Sequence, residues 1–92
     1  MTTQISESVD FATLGQQYLH LCVAQGNQRG QCAALDNLGL AHRALGQTET
    51  ALDYHQQSLA IAQVLESPYD QAGAWNNLGL IHLSQSHYSI EE

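Results

Sequence analysis

The chain has 92 residues, enough for one small domain, with a single proline and many Ala, Leu and Gln residues, which favour helices. Nine acidic residues face only two arginines and no lysine, so the formal net charge is -7. Such a chain repels the phosphates of nucleic acids and the headgroups of anionic membranes, and neither is expected as a partner.

The cysteines and the N-terminal stretch bear on location. Cys22 and Cys32 are isolated, without CxxC spacing, which is typical of a reducing compartment and predicts two small core residues. Residues 1–10 are polar and acidic, unlike a signal peptide, and no apolar run approaches the roughly 20 residues of a membrane span. We therefore expect a cytoplasmic protein without a membrane segment.

Turn residues divide the chain into helices. The first predicted helix covers residues 8–25 and ends at Gly26, and the second covers 31–45 and ends at Gly46. Residues of the second helix recur at helical spacing and form one face: Leu35, Leu38, His42 and Leu45. Both glycines suit the left-handed conformation that closes a helix.

The second half of the chain continues this pattern. A third helix starts at Thr48 and runs to about residue 65, before the stop at Pro68. A fourth is predicted over 70–84, ending near Ser84 to Ser86, and the tail 87–92 would begin a further helix. Short loops between helices of this length predict antiparallel neighbours.

A repeat of forty residues is the strongest pattern in the chain. Residues 31–42 and 71–82 are identical at seven of twelve aligned positions, and both contain the phrase Asn-Leu-Gly-Leu. At the same offset, residues 11–30 align more weakly with 51–70. The single domain expected over residues 1–92 then consists of an opening helix at 8–25, a complete repeat at 31–70 and an incomplete repeat at 71–92.

Gly39 and Gly79 hold equivalent positions inside predicted helices. A glycine there costs about 0.8–1 kcal/mol relative to alanine, so its recurrence predicts a close approach between helices. The small residues Ala51 and Ser58 are interpreted in the same way. The predicted fold is all-α, with antiparallel helical hairpins stacked as a short α-solenoid.

These positions resemble the tetratricopeptide repeat family, whose first helix carries a large residue, Leu-Gly and an aromatic residue, and whose second carries small, aromatic and small residues. The matching residues are Leu35, Leu38, Gly39 and His42, then Ala51, His55 and Ser58, and in the next unit Trp75, Leu78, Gly79 and His82. The forty-residue unit looks most like the repeats of kinesin light chains and G-protein-signalling modulators, and similar arrays are common in bacterial signalling proteins. The resemblance covers about residues 11–92.

Two departures from the family pattern matter for assembly. The opening helix has Phe11, Gly15 and Tyr18 where small, aromatic and small residues are expected, so it is interpreted as a cap. In the last unit Glu91 stands where the family has alanine. An unfinished hairpin would expose an apolar side of its neighbour, which makes self-assembly into a homodimer or larger homo-oligomer an alternative function.

The resemblance implies that the first helices of the hairpins line a concave wall, on which the Asn before Leu-Gly contacts the backbone of a bound peptide or helix. The expected partner-binding residues are Asn37, Asn77, Asp36, Leu40, Arg43, Asn76, Leu80 and Leu83. A carboxamide suits this role because it donates and accepts hydrogen bonds. Only Arg43 supplies a cation, so capture of a C-terminal carboxylate is disfavoured.

Catalysis and metal binding have no support in the sequence, and no catalytic residue, metal ligand or cofactor is predicted. No nucleophile stands beside a base, and no glycine-rich loop follows a strand. His42 and His82 lie one repeat apart, too far to share an ion, and His42 with His55 is interpreted as a hydrogen-bonded pair inside one hairpin. Trp75 and Tyr54 are interpreted as core residues between helices.

The function predicted from these observations is that of a protein-interaction scaffold, which holds a peptide or helix of a partner protein on its concave wall. Besides self-assembly, a second alternative is a regulatory fragment of a larger signalling protein.

Overall fold

Four α-helices in succession form the backbone of this computed structural model, which describes residues 3–91, with side chains described for residues 11–85. The helices are α1 (Thr3–Gln25), α2 (Gln28–Ala44), α3 (Thr48–Val64) and α4 (Pro68–Glu91). Each helix packs against the next one along the chain, and α2 also touches α4. The described backbone has no strand, and the predicted all-α stack of helical hairpins is confirmed.

The three turns between the helices share one geometry, which reverses the chain within a few residues. Gly26, Gly46 and Glu66 have positive φ angles of 67°, 80° and 54°. In each turn the next amide bonds to a carbonyl five residues back, as Asn27 N does to Cys22 O at 2.8 Å. This left-handed closure satisfies carbonyls that the helix end would otherwise leave unpaired.

Side chains also fix where two helices begin. Oδ1 of Asn27 accepts a hydrogen bond from the backbone amide of Gly30 at 2.9 Å and caps α2. Ser67 Oγ accepts from the amide of Asp70 at 3.3 Å and donates to the carboxylate of the same residue at 2.8 Å. Pro68 then takes the first position of α4, where a missing amide hydrogen does no harm.

Several predicted helix bounds are corrected by the structure. The helices α1, α2 and α4 begin earlier than predicted, at Thr3, Gln28 and Pro68. The predicted end near Ser84 to Ser86 is wrong, because α4 continues to Glu91 and the tail does not start a separate helix. The stretch from 84 to 91 contains no glycine, asparagine or proline, so nothing in it favours a left-handed cap or prevents continuation.

The core lies on both sides of α2. Its buried apolar residues are Cys22, Cys32, Ala34, Leu35, Leu38, Ala51, Ala62, Ala74, Leu78 and Ile81. The prediction that both cysteines belong to the core is therefore confirmed, and neither forms a disulfide.

Trp75 is 57% exposed, so its interpretation as a core residue is wrong, and Tyr54 is half-buried. Leu35 lies forty residues earlier, in the same register, and is only 3% exposed. Leu35 is buried because α3 packs on that side of α2, whereas no described helix packs on the equivalent side of α4.

The close approach predicted at the two helical glycines occurs at one of them. A Cβ built on Gly39 would lie 2.5 Å from Nε2 of His55, so α2 and α3 can approach each other here only because position 39 carries no side chain. A Cβ on Gly79 would have no neighbour within 4 Å. The packing interpretation of Gly79 is therefore wrong in this chain, for the same reason that Trp75 is exposed.

The predicted hydrogen-bonded pair of His42 and His55 is also wrong, because each imidazole has another partner. Nδ1 of the fully buried His55 donates to Oδ1 of Asp36 at 2.9 Å. Nδ1 of His42 lies 2.6 Å from Oε1 of Gln47. The His42 ring also stacks on the ring of Tyr54, with the ring centroids 5.3 Å apart. These contacts join α2 to α3, so the two histidines hold one hairpin together.

Candidate functional site

A groove of about 610 Å³ runs between α1 and α2. Its lining residues are Phe11, Leu14, Gly15 and Tyr18 of α1 with Asn37, Leu40, Ala41, Ala44 and Leu45 of α2. Most are apolar, and the large ones are well exposed to solvent. A contiguous exposed apolar surface of this kind commonly marks a binding site.

The α1 side of the groove follows from the spacing of its apolar residues. Phe11, Leu14, Tyr18 and Leu21 recur every three or four positions, so they share one face of the helix, and all are exposed. The side of α1 that packs on α2 borders this stripe: Cys22, four residues after Tyr18, is buried, and a Cβ on Gly15 would lie 2.8 Å from Cδ2 of Leu38. The exposed apolar stripe of α1 therefore lies beside the surface that holds α1 on α2.

The α2 side of the groove contains two of the residues predicted to bind a partner. Asn37 and Leu40 are both exposed and line the groove. Asn37 is the only lining side chain besides Tyr18 with a strong hydrogen-bonding group, so it supplies a donor and an acceptor at the edge of an otherwise apolar surface.

The other predicted residues of α2 lie elsewhere. Asp36 is half-buried, and its carboxylate accepts the hydrogen bond from His55, so it is committed to the α2–α3 contact. Arg43 is exposed and lines a smaller depression of about 380 Å³ that reaches Thr48 and the α4 residues Ile81, Ser84 and Gln85.

The predicted residues of α4 are not part of the groove. Asn76, Leu80 and Leu83 are exposed and Asn77 is half-buried, and none of them lines the groove between α1 and α2. The structure thus brings Asn37 and Leu40 together with α1, and it places the four α4 residues on a separate surface.

Sequence reasoning missed the α1 half of the groove. The signal for it is the spacing of Phe11, Leu14 and Tyr18, which forms an apolar stripe wider than the contact with α2 can cover. The family pattern instead predicts a cap at the opening helix, since these residues depart from it. The helical spacing predicts Leu45 as part of the core face; this prediction is wrong, because Leu45 is exposed and lines the groove.

The groove is uncharged, since none of its described lining residues is acidic or basic. Tyr18 is the titratable one among them. A hydrogen bond with the Cys22 thiol, helped by Coulombic repulsion from that group and by partial desolvation, raises the pKa of Tyr18. A tyrosine hydroxyl at its ordinary pKa of 10.0 is already neutral at physiological pH, and the raised pKa keeps it so, which suits an apolar ligand.

The described part of the chain gives two further findings. None of its helices has the length and apolar character that crossing a membrane requires. No group of three or more His, Cys, Asp or Glu side chains within it is arranged to hold a metal ion.

The groove has a filled counterpart inside the same chain. Residues forty apart occupy equivalent positions of the repeat. The groove residues Phe11, Gly15 and Tyr18 of α1 have the α3 equivalents Ala51, His55 and Ser58, which are all fully buried. What buries them is α2: Ser58 Oγ donates to Cys32 O at 3.2 Å, and His55 lies over Gly39. In the repeat, α1 is equivalent to α3, and α2 is equivalent to α4. The groove on α1 and α2 is therefore equivalent to the surface of α3 and α4 on which α2 packs.

Comparison with known families agrees with this repeat geometry. The tetratricopeptide repeat model matches residues 30–90, which is well over half of the chain and includes all of α3. No curated protein and no solved structure matches the chain. Proteins of this repeat type are typically non-enzymatic scaffolds for protein–protein interactions. The four stacked helices, the forty-residue repeat and the family match together show that the chain belongs to the tetratricopeptide repeat family.

Proposed function

We propose that this chain is a protein-interaction module whose groove between α1 and α2 binds a helix of a partner protein. The observation that carries the proposal is the equivalence between this groove and the place taken by α2. One repeat later, a helix covers the equivalent surface and buries Ala51, His55 and Ser58 completely. A surface built on the same plan and left exposed is suited to another helix.

The chemistry of the groove supports an amphipathic helix as the ligand. Apolar residues at positions i, i+3, i+4 and i+7 of a ligand helix would contact Leu14, Tyr18 and Leu40, all of which are exposed. Asn37 would hydrogen-bond a polar group at the edge of that stripe. An extended peptide would leave much of its backbone unpaired against this apolar lining.

Charge adds a preference for the outer side of the ligand. The chain carries a formal charge of -7, while the described lining of the groove is neutral. A ligand helix with an apolar face and basic residues on its other face would be attracted by the long-range field without placing a charge in the groove. We expect its association rate to fall with added salt.

The remaining predicted site residues form a second surface in this proposal. Arg43 of α2 with Asn76, Asn77, Leu80 and Leu83 of α4 would contact the part of the partner that extends beyond the groove. Asp36 is left out, because its carboxylate is held by His55.

Three finer expectations accompany the proposal. Two buried, unpaired thiols support a reducing compartment such as the cytoplasm. The forty-residue unit with its Asn-Leu-Gly phrase supports the variety found in kinesin light chains and G-protein-signalling modulators. Self-association is a second candidate function, favoured by the exposed apolar residues of α4, among them Trp75 and Leu83.

A selection among amphipathic helical peptides displayed on phage tests the main proposal. Enriched peptides would be titrated by fluorescence anisotropy against the wild type, Leu40→Glu and Val23→Glu. Val23 is an exposed residue of α1 that does not line the groove, so its variant controls for added charge. We expect at least about tenfold weaker binding to Leu40→Glu, about 1.4 kcal/mol, and unchanged binding to Val23→Glu. Failure to enrich any helix, or equal binding to all three proteins, contradicts the proposal.

A further inference from the structure

We propose that the exposed face of α4 occupies the groove of a second copy, so that copies of this chain associate head to tail. The inference rests on the proposed function, because it names the ligand of the same groove. Two exposed faces, one on α4 and one on α1, have equivalents forty residues away that pack against each other inside the chain.

The first exposed face belongs to α4. Three residues of α2 that α3 covers have exposed equivalents on α4: Cys32, Leu35 and Gly39 correspond to Ala72, Trp75 and Gly79. The tryptophan is 57% exposed, whereas Leu35 is 3% exposed. This side of α4 therefore matches, position by position, a helix face that is buried elsewhere in the chain.

The second exposed face belongs to α1, and it is the groove wall already described. Phe11 is 71% exposed, whereas its equivalent Ala51 is fully buried against α2. Inside the chain, the α2 face and the α3 face contact each other. Between copies, α4 of one chain would take the position on α1 and α2 of the next that α2 takes on α3 and α4.

The proposed contact between copies has large side chains at other positions than the internal contact of α2 with α3, but it can still be filled. In the internal contact the imidazole of His55 fills the space over Gly39. Between copies Gly15, which Leu38 of its own chain contacts, would stand opposite Gly79. A Cβ on Gly79 meets nothing within 4 Å, so the space over Gly79 would be open. Phe11 and Tyr18 stand four and three residues from Gly15 on the same side of α1, and their rings would fill it.

The two faces are different surfaces of the same molecule, so the contact between copies is heterologous. A heterologous contact continues from copy to copy unless it closes into a ring. The expected product is a concentration-dependent series of oligomers, in place of a dimer of fixed size.

Light scattering on the full chain tests this inference, over a concentration series from about 10 µM to about 1 mM, the range of weak protein contacts. Leu14→Glu damages the groove and leaves α4 intact, and Trp75→Glu does the reverse. We expect the average mass of the wild type to rise beyond that of a dimer, and each variant alone to stay monomeric. An equal mixture of the two variants should give a dimer, because one intact groove meets one intact α4 face.

Two further variants control for the added charge. Val23 and Tyr69 are exposed apolar residues of α1 and α4 whose equivalents, Gln63 and Arg29, are also exposed. Val23→Glu and Tyr69→Glu should assemble like the wild type. Circular dichroism on every variant confirms that the helices are retained.

The outcomes separate this inference from the proposed function. A monomeric wild type that still binds selected helical peptides, with loss in Leu40→Glu, overturns the second copy as ligand and keeps the groove. A monomeric wild type that binds no helix overturns both. A mass that levels off at a dimer, with no heterodimer in the mixture of variants, indicates a symmetric contact and also overturns the head-to-tail arrangement.

Discussion

The imidazole of His55 in α3 lies directly over Gly39 in α2, with Nε2 2.5 Å from where a Cβ of residue 39 would be. The other ring nitrogen donates to Asp36 of α2 at 2.9 Å. One buried side chain thus sets both the distance and the register of a hairpin. The equivalent positions Gly15 and Gly79 carry no such ring: Gly15 is half-buried beside Leu38, whereas Gly79 lies on a face that the described chain leaves exposed.

Alanine at the two helical glycines should have opposite effects. Gly39→Ala places a Cβ against the His55 ring and should lower the free energy of unfolding by about 1–3 kcal/mol. Gly79→Ala meets no neighbour and should raise it by about 0.8–1 kcal/mol through helix propensity. Urea denaturation followed by circular dichroism at low protein concentration measures both. If the free energy of unfolding changed in the same direction in both variants, the two glycines would not differ in packing as described.

Removing the carboxylate of Asp36 should destabilise the hairpin. In Asp36→Ala the buried Nδ1 of His55 loses its acceptor, which costs about 1–3 kcal/mol. Asp36→Asn keeps an oxygen that can accept the bond, so its loss should be smaller. Equal losses in the two variants, measured by the same denaturation, would show that the hydrogen bond is not the source of the effect.

Glu66 should be replaceable by glycine with a gain in stability. Its φ of 54° lies in the left-handed region, which costs a residue with a side chain about 1–2 kcal/mol. Part of the gain is lost to the greater freedom of glycine in the unfolded chain, so Glu66→Gly should add up to about 1 kcal/mol.

The equivalent position supplies the reverse experiment. Gly26 has a φ of 67° and open space around a Cβ, so Gly26→Glu changes conformational preference without creating a clash. It should lose about as much stability as Glu66→Gly gains. A neutral result at both positions would mean that the turn relaxes around either residue.

The stability of the fold should fall in alkaline solution partly through Cys32. Burial, with the nearby negative charge of Asp70, raises the pKa of this thiol above its ordinary value of 9.0. The unfolded chain therefore loses the proton first. Stability that is complete below about pH 9 is lost as the pH rises through the folded pKa.

Cys32→Ala removes this titration and serves as the comparison. Between about pH 8 and pH 10, its free energy of unfolding should decrease less steeply than that of the wild type. Groups common to both proteins cancel in the difference. Parallel curves would indicate that the thiol titrates alike in the folded and unfolded states.

The helices could be predicted from the sequence because their limits are local. Gly26, Gly46 and Pro68 act through their own backbone preferences, and the structure has turns at each. The end of α4 could not be placed, since residues 84–86 carry no such signal. Exposure also could not be predicted locally: Leu35 and Trp75 share one register, yet a neighbouring helix covers only the first.

The sequence predicts the α2 side of the candidate site but not its α1 side. Asn37 and Leu40 follow from the repeat and lie in the groove. Phe11 and Tyr18 were missed because they depart from the small residues that the pattern requires there. Large residues at those positions fit a face that meets a ligand, whereas Ala51 and Ser58 fit a face that packs closely inside the chain.

Fluorescence of Trp75 reports directly on whether the groove binds the exposed face of α4. It is the single tryptophan of the chain and it is exposed, so its emission reports on the α4 face alone. Spectra would be recorded across a concentration series for the wild type and for Leu14→Glu, which leaves the tryptophan untouched. We expect a shift to shorter wavelength in the wild type as the indole enters the groove, and none in Leu14→Glu. Emission independent of concentration, or the same shift in both proteins, would contradict it.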